Sequence, residues 1–369
     1  MKKVLFMVLA VAMFACTPKE SGYVIEGTVT GEGITDGKAY LVNFSRAEVL
    51  KDTADFVDGK FTFKGKVVTP EYYGITFDGI KGRIDVFVEN AKITVEANTE
   101  NFKKAVITGG ETTQLLNLLN KAKEEIAGEY KFNELQAEFY KPETTDERKQ
   151  EIVSKFNEGQ AKVNALDSAF YANNPYSYHT VNQLIKTVEE VSLEEMEAKV
   201  AELKALPKFA GNRYLADIEN AVNTLKSVQP GMQAPDFTLN DTEGNPVTLS
   251  DVYSKNKITM IDFWAGWCGP CRGFNPTLVG IYNKYNKDGF GIIGVSFDSD
   301  AELWHKAIAE DKLTWTQVSD LKGWDAAAGK LYYVRAIPAN IFVDQEGKVI
   351  KRKVGRGEMD EFIKGYLGL

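Results

Sequence analysis

Three cysteines occur in 369 residues, and two of them, Cys268 and Cys271, stand one helical turn apart in Trp267-Cys268-Gly269-Pro270-Cys271. Thiols so spaced can close a disulfide with little backbone movement, and they can pass electrons to another disulfide by exchange. The thiolate is the reactive form. A helix N-terminus stabilises it, through unpaired N–H groups and the positive end of the dipole. The flanking residues supply such a helix: Phe274, Leu278, Ile281, Tyr282 and Tyr285 have helical spacing, and the apolar run Ile258 to Trp264 ahead of the pair reads as a buried strand. The pattern predicts a strand that delivers a dithiol to the first turn of a helix.

The chain is long enough for two or three domains. Its 44% hydrophobic and 26% charged residues are ordinary for globular protein. A net charge of −8 argues against nucleic acid as a partner. Three cysteines exclude a disulfide-stapled scaffold and a cysteine zinc cluster. His179 and His305 lie far apart and outside any ligand-spaced motif, so each reads as a structural or surface residue. No metal and no cofactor is expected.

Lys2 and Lys3, followed by the apolar run Val4 to Ala15, have the form of an export signal over residues 1–15, too short to span a bilayer comfortably. Cys16 follows, and the chain then turns polar through Thr17-Pro18-Lys19-Glu20-Ser21. This junction resembles a bacterial lipoprotein signal, which implies cleavage before Cys16, lipidation of its sulfur, and residues 16–22 as a tether to a membrane. The other reading is a plain secretory signal with an incidental cysteine. Either reading exports the working domains, and the lipid anchor would hold them in the cell envelope, facing the periplasm or the exterior.

From residue 23 to 110 the pattern has period two and predicts a small antiparallel β domain, a sandwich or partial barrel. Val24 to Val29 and Ala39 to Val42 open it. Asp55 to Phe63 has the form of a hairpin turning at Asp58-Gly59, and Ile84 to Val88 with Ile93 to Ala97 reads as a further strand pair. The domain carries no cysteine or histidine and no clustered acids, so it is expected to bind, space or dimerise. Its arrangement resembles the β domain of unknown function found ahead of thioredoxin-like domains in Bacteroidetes lipoproteins.

Residues 111–228 change to helical period. Leu115, Leu118, Leu119, Ala122 and Ile126 form one stripe, and Ile152, Phe156, Val163, Leu166 and Phe170 form another behind the cap-like Thr145-Asp146. A helix from about Tyr178 to Glu189 follows Asn173-Asn174-Pro175. Ser192 to Glu195 has capping-box spacing and opens the next helix, and a last one covers about Asn212 to Lys226. This segment reads as a spacer or docking piece, and either it or the β domain could support an oligomer.

Gly231-Met232-Gln233-Ala234-Pro235-Asp236-Phe237-Thr238-Leu239, then Asp262-Phe263-Trp264-Ala265 and Trp267 to Arg272, closely resemble the TlpA/ResA-like branch of the thioredoxin superfamily. The resemblance spans residues 229–369 and implies an α/β thioredoxin fold, a central mixed sheet flanked by helices. The whole is therefore expected to be multidomain: β domain, helical middle, thioredoxin-like C-terminus. The element order agrees, with a helix to about Tyr285, a strand Gly291 to Phe297, a helix Ala301 to Lys312, an insertion through Tyr333, a hairpin Asn340 to Val354 and a final helix from Glu358.

The resemblance implies roles. Cys268, at the exposed edge of the helix, attacks a substrate disulfide, and Cys271 resolves the mixed disulfide, leaving Cys268–Cys271 oxidised. Gly269-Pro270 matches thioredoxin, whose potential of about −270 mV lies on the reducing side, so reduction of protein disulfides is expected, fed by an upstream thiol reductant. Pro338 matches the proline that follows a cis peptide beside the dithiol, with Ile337 offering backbone to an extended substrate. Pro276 matches the proline that shapes the active-site helix. Trp264 and Trp267 are expected to form apolar surface around the pair. Asp262 stands where thioredoxin has a buried aspartate and many relatives have asparagine, and is expected to take a proton from Cys271. Ala339 replaces the usual threonine, and Phe274 stands where the family often has glutamate. Two other classes fit parts of the pattern. A peroxiredoxin-type thiol peroxidase would need Pro-x-x-x-Thr/Ser-x-x-Cys, which the residues before Cys268 lack. A binding or assembly protein would use the dithiol for one dedicated client.

Overall fold

The computed structural model describes residues 22–43 and 49–369. Cys16 and the apolar segment before it, with the anchor expected there, lie outside the described residues. The chain divides into two compact units, one of residues up to Lys186 with Glu202–Leu215, the other of Thr187–Ala201 with Ala216–Leu369.

Among the described residues of the first unit, eight strands form two four-stranded sheets over a shared core. The strands are β1 (Tyr23–Thr30), β2 (Gly37–Asn43), β3 (Val49–Phe56), β4 (Lys60–Gly65), β5 (Glu71–Phe77), β6 (Ile80–Val88), β7 (Lys92–Asn98) and β8 (Val106–Thr108). The sheet orders are β4-β1-β7-β8 and β3-β2-β5-β6. Alternation decides which residues meet: Tyr23, Ile25 and Val29 of β1 point inward with Phe61 and Phe63 of β4 and Ile93 and Val95 of β7. Gly27 lies beneath the Phe61 ring, where a Cβ would stand 1.9 Å from the ring. All neighbours are antiparallel except β1 and β7, which run parallel.

Two expected strand pairs do not form. The Asp58-Gly59 turn is present, both residues at positive φ and flanked by reciprocal Val57–Lys60 backbone bonds. Beyond it, however, β3 pairs with β2 and β4 with β1. The reason lies in the phenylalanines: Phe56, Phe61 and Phe77 pack together with centroids 4.7–5.5 Å apart, so the turn is a corner carrying the chain across the core. Likewise β6 pairs with β5 while β7 pairs with β1 and β8, the crossing being pinned by the Asn90 amide on Val67 N–H and C=O.

Six helices follow: α1 (Glu111–Tyr130), α2 (Phe132–Phe139), α3 (Asp146–Asn173), α4 (Tyr178–Thr187), α5 (Leu193–Lys204) and α6 (Arg213–Ser227). Thr145 caps α3 by accepting from the Arg148 N–H. Ser192 and Glu195 exchange reciprocal bonds at the start of α5, as a capping box should. The stripes are only partly covered, with Leu119 and Ile152 buried but Leu118 53% exposed and Phe156 38% exposed. The boundary between units falls inside α5 and α6.

The rest of the second unit is a thioredoxin fold. The hairpin β9 (Thr238–Asn240) and β10 (Pro246–Thr248) and the short α7 (Leu249–Tyr253) precede β11 (Ile258–Trp264), α8 (Gly269–Tyr285), β12 (Phe290–Ser296), α9 (Ala301–Asp311), β13 (Thr316–Val318), α10 (Ala327–Leu331), β14 (Ala339–Asp344), β15 (Val349–Arg352) and α11 (Met359–Leu367). The five-stranded sheet has order β13-β12-β11-β14-β15. β11, β12 and β13 are mutually parallel, β14 is antiparallel to β11, and β15 is antiparallel to β14. Every residue of β11 and β12 is buried, which explains their unbroken apolar runs. This topology brings the C-terminal ends of β11, β12 and β15 and the N-terminal end of β14 to one edge. The dithiol sits there.

Candidate active site

At the end of β11 the chain turns through Ala265-Gly266-Trp267. The Gly266 N–H donates to Asp298 Oδ2 at 2.8 Å, and Asp298, just past β12, is itself held by the Ser296 hydroxyl at 2.7 Å. A buried carboxylate just beyond the neighbouring strand thus ties down the turn that presents the cysteines. Cys268 is the N-cap of α8, its sulfur accepting from the Cys271 N–H at 3.2 Å, and the two sulfurs are joined as a disulfide. Sulfur in this position faces the N–H groups and positive dipole end that favour a thiolate once the bond opens. Cys268 is 4% exposed and Cys271 2%, so Cys268 is more deeply covered than the exposed edge expected for it. Gly269 faces open space, and Pro270 occupies the first turn, where no N–H is missed. α8 continues through Pro276 to Tyr285.

At the same sheet edge, directly before β14, the Ile337–Pro338 peptide is cis. Pro338 is exposed and Ile337 half-buried, immediately before β14 takes up pairing with Phe263 at Ala339. Behind them Asp262 is 6% exposed, and burial pushes its carboxyl up to about 7. It lines a cavity of about 350 Å³ together with Pro338 and Phe274. Phe274 is three residues past Cys271 on the same face of α8, so the cavity reaches the helix face that carries Cys271.

The models that match are those of the AhpC/TSA family over residues 230–352 and of a domain of unknown function, DUF4369, over residues 23–116. Thiol-disulfide oxidoreductase ResA of a Bacillus cereus strain is 30% identical over 142 residues, covering 38% of this chain and 79% of that protein. ResA of Bacillus subtilis (strain 168) is 32% identical over 154 residues, covering 41% and 82%. The chain belongs to the ResA family of thiol-disulfide oxidoreductases. A solved thioredoxin domain of a thiol-disulfide oxidoreductase from Bacteroides vulgatus aligns at 35% identity and a TM-score of 0.36, covering 38% of this chain and 99% of that one.

Within this ResA-type site one assignment changes. Trp264 is 1% exposed and its indole N–H donates to Gln317 Oε1 at 3.0 Å, so it belongs to the core and offers no surface to a substrate. Trp267 does lie at the surface, 49% exposed, with its N–H on the Phe297 carbonyl at 3.3 Å. Its ring meets that of Trp324, 51% exposed, at 6.1 Å. Trp324 comes from the insertion before β14, and nothing in its local sequence marks it.

Two arginines also escape sequence reasoning. Arg356, four residues past β15, donates to the Pro270 carbonyl between the cysteines at 2.9 Å and lies over the Phe274 ring at 5.1 Å. Arg272 follows Cys271 directly, which is a signal of position, but its partners are not local: the Gly266 carbonyl at 3.2 Å, and Asp311 and Glu310 at the end of α9. Asn275 adds a bond to Asp311 at 2.7 Å. Among the described residues no three histidine, cysteine, aspartate or glutamate side chains gather as metal ligands would.

Proposed function

We propose that this oxidoreductase works as a reductase of protein disulfides outside the cytoplasm. The observation that carries the reading is the Cys268–Cys271 disulfide at the N-terminus of α8. In the reduced state the Cys268 thiolate attacks one sulfur of a client disulfide, forming a mixed disulfide and releasing the other client sulfur as thiolate. Cys271 then loses its proton and attacks the Cys268 sulfur, so that the second client thiol leaves and Cys268–Cys271 closes. An upstream thiol reductant reopens it. The Ile337 backbone, which makes no backbone hydrogen bond among the described residues, is available to pair with an extended client. Asp262, poised near neutral pH behind the helix face of Cys271, receives the proton of the resolving thiol. The Gly269-Pro270 pair between the cysteines supports the reducing direction.

Trapping tests the reading. Cys271→Ala removes the resolving thiol and should accumulate mixed disulfides through Cys268, released by dithiothreitol and identified by mass spectrometry. Their absence, with Cys268 reduced and accessible, would refute a reductase role. The AhpC/TSA match gives a thiol peroxidase some footing. Against it, Ile261 and Ala265 stand where the peroxidase signature needs proline and a hydroxyl residue, so purified protein should not consume hydrogen peroxide above the rate of an ordinary thiol.

Export and a lipid anchor at Cys16 complete the reading, supported by the basic start and apolar run before that cysteine. Incorporation of a labelled fatty acid that is lost in Cys16→Ser tests the anchor, since two or more acyl chains hold a protein to a membrane where one does so only marginally.

A further inference from the structure

We propose that the face beside Pro338 selects disulfide-bearing client segments that carry acidic side chains next to the reactive cysteine. The inference rests on the reductase reading and adds the class of client. The sheet order sets two flanks on either side of β11. Toward β12 lies the aromatic flank, Trp267 against Trp324 with Phe297 beneath. Toward β14 and β15 lies the cavity that Pro338 and Asp262 line, and its rim is basic: Arg335, Arg352, Lys353 and Arg356.

These cations face little opposing charge. Arg352 and Lys353 share one carboxylate, Glu189, at 3.7 and 2.9 Å. Arg335 lies over the Tyr333 ring at 5.5 Å and Arg356 reaches the Pro270 carbonyl, and among the described residues neither forms an ion pair. Three exposed cations, Arg335, Lys353 and Arg356, with the largely covered Arg352 behind them, outnumber the carboxyl groups of Glu189 and the buried Asp262 and make this mouth positive on a chain of net charge −8. Charge of one sign focused at a cleft steers partners of the opposite sign and rejects like charge, so the patch acts on client encounter and choice. Arg356 ties it to the chemistry, since the residue whose carbonyl it holds sits between the two cysteines.

The experiment follows reduction of three synthetic cystine-bridged peptides by the full chain. The peptides are identical except for Glu, Gln or Lys at the positions flanking one half-cystine. The second-order rate constants should fall in the order Glu, Gln, Lys, and the advantage of the Glu peptide should shrink between about 20 mM and about 500 mM salt. Arg335→Gln and Lys353→Gln should each cut the Glu-over-Lys ratio about two- to fivefold, the effect of an exposed ion pair, while changing the Gln peptide little. Equal rates and equal salt dependence for the three peptides would overturn the inference and leave the reductase reading standing. A Glu preference that persists in a protein carrying both Arg335→Gln and Lys353→Gln would overturn the assignment to this rim. If no peptide is reduced although Cys268 is free and reactive, the reductase reading fails and the inference with it.

Discussion

Asp262 holds a carboxyl in the core with its pKa raised from 3.8 to about 7 by desolvation, and that shift is a statement about stability as well as chemistry. Between about pH 4 and pH 7 the folded chain keeps a proton that the unfolded chain has released. Stability therefore falls as pH rises through that window, and the loss is complete above pH 7. Asp262→Asn removes the penalty, so it should stabilise the protein at pH 8 by roughly 4 kcal/mol and change little at pH 4. Urea unfolding at both pH values reads this directly, and parallel pH dependence in the two proteins would sink it. The same substitution should erase an inflection near pH 7 in the rate of disulfide reduction, where the wild type speeds up as the carboxylate becomes able to accept the Cys271 proton. Cys268 and Cys271 are legible at this scale because spacing and residue type carry their chemistry, whereas Pro338 is legible only through the family resemblance. Trp264 is not, because an indole beside a dithiol looks the same on either face of a strand. Only the Gln317 partner on β13 places it inside.

The elements around the dithiol are fixed by contacts between segments far apart in the chain. Arg272 fastens α8 to α9 through Asp311 and Glu310 and at the same time holds the Gly266 carbonyl in the turn before Cys268. Its Asp311 partner is largely covered and Glu310 is half open. Arg272→Ala should therefore cost about 2–3 kcal/mol, because the charge of Asp311 loses its partner. Glu310→Ala should cost less than about 1 kcal/mol. Thermal unfolding of the two variants checks the contrast, and equal costs would show that the exposed pair, and not the covered one, carries the link. Helix starts are readable from the sequence, since Thr145 and the Ser192–Glu195 box act within one turn. Strand partners are not. Asp58-Gly59 dictates a tight turn, but whether the strands beyond it remain paired depends on where Phe56, Phe61 and Phe77 are buried.

At the scale of the molecule the chain passes between its two units at residues 186/187, 201/202 and 215/216. Composition and motif suggest a cut near Gln229, where the family resemblance begins. The second unit, however, includes Val188, Met196, Val200, Val222, Leu225 and Val228, all 5% exposed or less. A fragment starting at Thr187 keeps these side chains and one starting at Gln229 lacks them, so the longer fragment should be more stable by several kcal/mol if even a few of them bury their surface within the second unit at about 1.5–3 kcal/mol each. Comparing their unfolding midpoints in urea decides it, and indistinguishable midpoints would mean that the helical segment contributes nothing to the thioredoxin fold. The period change at residue 111 is plain in the sequence. The assignment of the last turn of α5 and the first turn of α6 to a different unit from the rest of each helix is not, because amphipathic periodicity says that a face is covered without saying by what.

The Trp267–Trp324 pair also gives the molecule an optical readout of its electrons. A disulfide quenches the excited state of an indole lying against it, and a dithiol does so far less. Trp267 adjoins Cys268 in sequence, and the Trp324 ring meets it at a tilt, with centroids 6.1 Å apart, within reach of energy transfer. Emission should brighten as the bond opens and dim as a client or oxidant closes it, with Trp324→Phe reducing the amplitude and Cys268→Ser abolishing the response. Turnover could then be followed on the unlabelled protein, one electron pair at a time, in the colour of its own side chains.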